Sequence, residues 1–283
     1  MDNIISALVE KGELFDSHAH FSELSGDLTL ALQQAQKVGV SNIIDIAVSL
    51  KNAEDLLLTA RKYPGEVIPT AGLHPELLIP GSDLFDPKLN ILNIEKALKR
   101  LESFISTNNT RMIGECGLDF YWLNKNGLSK SQQANIKELQ EYLFEGQVKL
   151  AVKYHLPLSI HSRAAESEAM NILEPYLEEI ELAILHSFTG SYEDAATAME
   201  MGLYLGVNGI ITYKSAADLR NNLKTLLKTK SIKTPKDLYT QHFLLETDAP
   251  LLLPRNAPKS EKENSPALIK NIWEFLYNLV NEI

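Results

Sequence analysis

Phe15-Asp16-Ser17-His18-Ala19-His20 is the stretch whose reading decides both fold and chemistry. It closes an apolar run from Leu14 and reads as the end of a β-strand. Side chains alternate along a strand, so His18 and His20 share one face and Ala19 takes the other. Two imidazoles placed that way can reach a single divalent metal. An HxH repeat is a short pattern, and two ordinary histidines would look the same. The rest of the chain separates the readings, because His, Glu and Asp recur at the ends of later apolar runs.

Eight strand-like runs lie near residues 13–20, 41–49, 67–73, 111–117, 157–162, 182–187, 203–210 and 242–248, with helical patterns between them. Several are rich in Val, Ile and Leu and bounded by Gly or Pro, as buried parallel strands are. From Ser131 to Tyr154, Ile136, Leu139, Leu143 and Leu150 recur at helical spacing. The last stretch puts Leu268, Ile272, Phe275, Leu279 and Ile283 on one helical face, with Ser265 as N-cap and Pro266 in the first turn. Strand–helix alternation implies a parallel sheet. Eight such units in 283 residues predict an α/β fold, a single (β/α)8 TIM-type barrel, with residues 1–283 as one domain. A doubly wound sheet would call for a Gly-rich phosphate turn after the first strand, where this chain has His18-Ala19-His20.

Bulk properties narrow the function. The chain is 45% hydrophobic and 23% charged, which argues against disorder. Its formal net charge of −10 argues against a general nucleic-acid coat, though not against a small, locally basic, metal-charged mouth. Cys116 is the only cysteine, which excludes an intrachain disulfide framework and fits a reducing, cytoplasmic setting. The start, Met1-Asp2-Asn3-Ile4-Ile5, has neither a basic region nor a long apolar run, so no signal peptide or membrane segment is expected. No obligate protein partner is evident.

Six of the eight runs carry a His or a carboxylate at their C-terminal ends. After His18 and His20 come His74 in Gly72-Leu73-His74-Pro75, and Glu115 in Ile113-Gly114-Glu115-Cys116-Gly117-Leu118-Asp119. Then come His161 in Ile160-His161-Ser162-Arg163, His186 in Leu185-His186-Ser187, and Asp248 in Glu246-Thr247-Asp248-Ala249-Pro250. In a barrel these ends converge on one rim, where such enzymes build their sites. Clustered imidazoles and carboxylates suit two divalent ions. Glu115 is the natural bridge between them, and Asp248 the natural acceptor of a proton from activated water. Glu246, on the same face as Asp248 and one layer deeper, either orients a ligand or is a buried acid paired with a base.

The connections over residues 75–90 and 250–266 follow strands and belong at the same mouth. His155 and His242 fall at the opposite end, His155 as a helix C-terminal residue. Cys116 points into the helix layer as core. Neither a GxSxG elbow nor a Walker loop is present. Lys224, Lys228, Lys230, Lys233 and Lys236 precede the eighth strand and so face away from the mouth. Arg163, Lys214, Arg255, Lys259 and Lys262 follow strands, and of these Arg163 and Lys214 sit beside the motif residues and are the expected substrate contacts. Tyr121 and Trp122 either stack on a base or pack against a neighbouring loop.

Taken together, the motifs resemble the TatD family of metal-dependent deoxyribonucleases, among the amidohydrolase-like barrels. The match adds Phe188-Thr189-Gly190-Ser191 and Val207-Asn208-Gly209-Ile210-Ile211-Thr212-Tyr213-Lys214, and runs in order over nearly the whole chain. The resemblance implies a distorted barrel, hydrolysis of phosphodiesters and activity on DNA. It implies metal ligation by His18, His20, Glu115, His161, His186 and Asp248, with His74 contacting substrate phosphate. Two positions depart from the family: Trp122, where Arg is common, and Glu263-Asn264-Ser265-Pro266, where an Arg-Asn-Glu-Pro run is common. Both bear on substrate choice.

The expected protein is therefore a phosphodiesterase using two divalent ions (zinc, manganese or magnesium) on DNA ends or single strands. Asp248 would act as base, with His74, Arg163 and Lys214 on the phosphate. The same site could instead serve a small-molecule amidohydrolase cleaving an ester or C–N bond, or a metal-binding protein without turnover.

Overall fold

The computed structural model describes residues 4–90, 93–108 and 110–281. In order, the chain runs through α1 (Ile4–Lys11), β1 (Leu14–Ala19), α2 (Leu28–Lys37), β2 (Val40–Asp45), α3 (Leu50–Lys62), β3 (Val67–Pro69) and α4 (Ile94–Asn108). It continues with β4 (Ile113–Asp119), α5 (Tyr121–Lys125), α6 (Lys130–Tyr154), β5 (Leu158–Arg163), α7 (Glu166–Leu173), β6 (Ala183–His186), α8 (Tyr192–Glu200) and β7 (Tyr204–Val207). It ends with α9 (Ala217–Leu227), α10 (Pro235–Tyr239), β8 (Phe243–Leu245) and α11 (Ile269–Asn281). All eight expected strands form, and the paired ones run parallel.

The residues group into two compact units: 46–57 with 69–185, and the described parts of 2–45 and 186–283 with 58–68. In the first unit β4 pairs with β5 through Gly117↔His161 and Asp119↔Arg163, and Ala71 bridges Ile113. In the second, β1 pairs with β2 and β7 with β8. There the first strand also meets the last: the Asp248 N–H donates to the His18 carbonyl at 2.8 Å, and the His20 N–H to the Ala249 carbonyl at 2.7 Å.

Several strands are shorter than their apolar runs. β2 stops at Asp45, yet Ile46 and Ala47 are fully buried. β7 stops at Val207, and Gly209–Thr212 forms a 3-10 turn where the sequence suggested strand. Burial continues past the strand end, where single backbone bonds such as that from the Glu115 N–H to the Ala47 carbonyl at 2.6 Å take over from the ladder. The final helix also begins later than expected. Pro266–Leu268 is a 3-10 turn, α11 starts at Ile269, and the Ser265 side chain makes no cap bond. Ile283 lies outside the described residues. His155 caps α6 in the left-handed region (φ 51°), and Cys116 is buried, as expected.

α6 braces the first unit's strand ends through two fully buried glutamines. The Gln147 side chain accepts from the Leu73 N–H at 2.8 Å and donates to the Leu73 carbonyl at 3.0 Å, fixing the backbone just before His74. Gln140 accepts from the Asp119 N–H at 3.0 Å and donates to the Pro75 carbonyl at 3.2 Å. Truncating Gln147 to Ala strands both Leu73 backbone groups in a dry interior. The expected loss is on the order of 2–4 kcal/mol of folding stability, measurable by denaturant unfolding.

Candidate metal centre

In the first unit, Glu115 and Asp119 lie on one face of β4 with Gly117 between them. Gly117 adopts φ +132°, and a Cβ there would stand 2.0 Å from the His161 carbonyl oxygen. Only glycine lets β5 approach so closely. That approach seats His161 between the two carboxylates: its Nδ1 is 2.9 Å from Glu115 Oε1 and its Nε2 is 3.0 Å from Asp119 Oδ2. Burial draws the imidazole down, but Asp119 and Glu115 outweigh it and carry it up to about 10 in the metal-free protein. Burial likewise pushes Asp119 up, and the His161 hydrogen bond more than reverses it, so Asp119 is held below the usual carboxylate range.

His74 reaches the same Glu115 oxygen, with Nε2 at 3.2 Å. Its Nδ1 accepts from the Glu76 N–H at 3.2 Å. A neutral imidazole that accepts at Nδ1 carries its proton on Nε2. His74 therefore turns a donor, not a lone pair, towards the cluster.

In the second unit, the His18 and His186 rings stack with centroids 3.3 Å apart. Asp248 Oδ1 lies 3.5 Å from His20 Nε2 and 3.8 Å from His18 Nε2. Asp248 sits at φ +57°, a left-handed position that Asp tolerates, beyond the end of β8. Burial pushes its carboxyl up, but His20, His186 and His18 overcome this and hold it below the usual range. Glu246 is fully buried: Oε1 lies 3.0 Å from His186 Nδ1 and accepts from the Ser187 N–H at 2.7 Å and from Asn208 Nδ2 at 3.2 Å. Gly206 makes room for it, since a Cβ there would lie 2.3 Å from Glu246 Oε2. Asp16 accepts from the Thr247 N–H at 2.9 Å and from the Thr247 hydroxyl, tying β1 to the segment after β8. Burial is the largest influence on Asp16 and pushes it up to about 8.

Two groups of donor atoms thus lie within 4.8 Å of one another inside single units: His74, Glu115 and His161, and His18, His186 and Glu246. Buried imidazoles set against carboxylates, with further carboxylates behind them, are the donor chemistry a divalent cation requires. The expected phosphate contacts fall differently. Arg163 is exposed and lies over the Tyr121 and Trp122 rings, at 4.1 and 5.5 Å. Lys214 is exposed just past the turn that follows β7. Next to it, Tyr213 carries Arg255 over its ring at 4.9 Å. The sequence reading assigned no role to Asp119, Asn208, Gln140 or Gln147. For Asp119 a signal existed, since it is the second carboxylate on Glu115's face of the strand.

Parallel α/β architecture with His–carboxylate clusters at the strand ends is the arrangement of a metal-dependent hydrolase. Residues 15–282 match the TatD related DNase family, and the chain belongs to that family. A relative described as 3'-5' ssDNA/RNA exonuclease TatD, from Cronobacter sakazakii, is 34% identical over 254 residues, 89% of this chain and 83% of its own length. A metal-dependent hydrolase of Buchnera aphidicola is 29% identical over 275 residues, 95% of this chain and 92% of its own. Among solved structures, the TatD homologue YJJV of Escherichia coli superposes with a TM-score of 0.72 at 26% identity, covering 94% of this chain and 90% of that one. A TatD family hydrolase of Entamoeba histolytica gives the same TM-score, 0.72, at 20% identity over 96% of this chain and 92% of its own, a likeness of fold. The fold is the TIM-type, amidohydrolase-like barrel of these neighbours. Among the described residues, no helix is long and apolar enough to cross a membrane.

Proposed function

We propose that this protein is a two-metal deoxyribonuclease that removes nucleotides from single strands or ends of DNA, with residues 1–283 acting as one catalytic domain in the cytoplasm. The observation that carries this reading is the half-buried His161 clasped by Glu115 and Asp119, in a chain 34% identical to a 3'-5' ssDNA/RNA exonuclease. His18, His20, Glu115, His161, His186 and Asp248 would hold the two divalent ions, whether zinc, manganese or magnesium. Such ions polarise phosphoryl oxygens and lower the pKa of bound water from 15.7 towards roughly 7.

The chain's own groups do the rest. Asp248, ionised at neutral pH, accepts the proton of the attacking water. His74 turns its Nε2 proton to a phosphate oxygen. Arg163 and Lys214 add positive charge where the substrate backbone runs. Asp119 holds the His161 ring from behind, and Glu246 stands behind His186 in the same way.

A substrate panel tests this reading. Protein loaded with each metal in turn is offered labelled single-stranded and duplex oligonucleotides beside small amides and lactones. Stepwise shortening of the single strands is expected, with no turnover of the small molecules. Turnover confined to amides or lactones would assign the site to a small-molecule amidohydrolase, and metal uptake without any turnover would remove catalysis altogether.

A further inference from the structure

Tyr121 and Trp122 open α5, directly after the strand that carries Glu115 and Asp119. Their rings meet edge to face, with centroids 5.3 Å apart. Tyr121 is already attended by two cations, the Arg163 guanidinium at 4.1 Å and the Lys125 ammonium at 5.5 Å. Trp122 is the outer partner and remains 37% exposed. Arg163 also lies over the Trp122 ring, at 5.5 Å, and the rest of the residue is left to solvent.

Its position is fixed from the chemistry side. Asp119 Oδ1 accepts the Trp122 backbone N–H at 2.9 Å while Asp119 Oδ2 holds His161 Nε2 at 3.0 Å. One carboxylate therefore holds both the His161 imidazole and the Trp122 backbone. The exposed ring is bordered by positive charge on a chain whose formal net charge is −10. An apolar π-face bordered by cations matches a nucleobase joined to phosphate, since every base has a face to stack and every linkage carries a negative charge.

We propose that Trp122 is a nucleobase-stacking platform. It receives one base of single-stranded DNA beside the scissile linkage, and Arg163, pre-set on Tyr121, meets the adjoining phosphate. This assignment rests on the deoxyribonuclease reading and adds a substrate-positioning residue to it. The site should then prefer unpaired bases, because a base within a duplex is already stacked on its neighbours.

The test uses the full chain in the Trp273→Phe background, which leaves Trp122 as the sole tryptophan. Metal-free protein is titrated with oligodeoxythymidylate and with an abasic deoxyribose-phosphate oligomer of equal length, and indole emission is followed. Saturable quenching by the base-bearing strand alone is expected. With metal-loaded enzyme, Trp122→Ala is expected to raise KM for oligodeoxythymidylate about tenfold, to leave kcat within about twofold and to spare the abasic oligomer, with Trp122→Phe recovering most of the loss. Equal quenching by both oligomers, no quenching, or an unchanged KM in Trp122→Ala overturns the assignment while hydrolysis by the parent enzyme leaves the nuclease reading intact. If the parent enzyme hydrolyses no oligonucleotide, the nuclease reading fails instead, and the quenching result still decides whether the platform exists.

Discussion

Asp248→Asn is expected to lower turnover of single-stranded DNA by about a thousandfold while the protein stays folded. Asn fits the space and tolerates the left-handed backbone that Asp248 adopts at φ +57°, so the backbone link from its N–H to the His18 carbonyl survives. What is lost is a negative charge facing His20, His186 and His18, and with it the proposed proton acceptor. Single-turnover rates with saturating metal measure the effect, and a melting temperature within a few degrees of the parent shows that the fold is kept. A variant that retains the parent rate places the general base elsewhere.

Removing divalent ions should have an effect at least as large. Dialysis against a chelator is expected to reduce hydrolysis to background, and adding back one divalent metal to restore it. It should also loosen the fold. A ligand that binds only the native state at 100 times its Kd stabilises by about 2.7 kcal/mol. For a chain of 283 residues that corresponds to a melting temperature higher by roughly 4–5 °C. Calorimetry of chelated and reloaded protein reads the difference, and an unchanged melting temperature with undiminished hydrolysis would eliminate the metal-dependent mechanism.

Local periodicity carried much of the reading. Alternation placed His18 and His20 on one face, and apolar runs, several of them bounded by Gly or Pro, marked the eight strands. Contacts between segments far apart in the chain were not legible. Glu246 meets Ser187 across 59 positions, and Gln147 braces Leu73 across 74. No pattern along one helix announces such a bond, and a glutamine on a core-facing stripe looks like a local irregularity. Strand ends were misjudged because side-chain burial, which sets apolar character, persists at Ile46 and Ala47 after the ladder has stopped. The tautomer of His74 was equally hidden, since it depends on one backbone N–H two residues on.

The bonds joining His18 and His20 to Asp248 and Ala249 also set an order of assembly during synthesis. The two histidines leave the ribosome first but must wait for almost the entire polypeptide before their partners emerge. A prematurely terminated product thus carries His18 and His20 without the backbone groups that hold them.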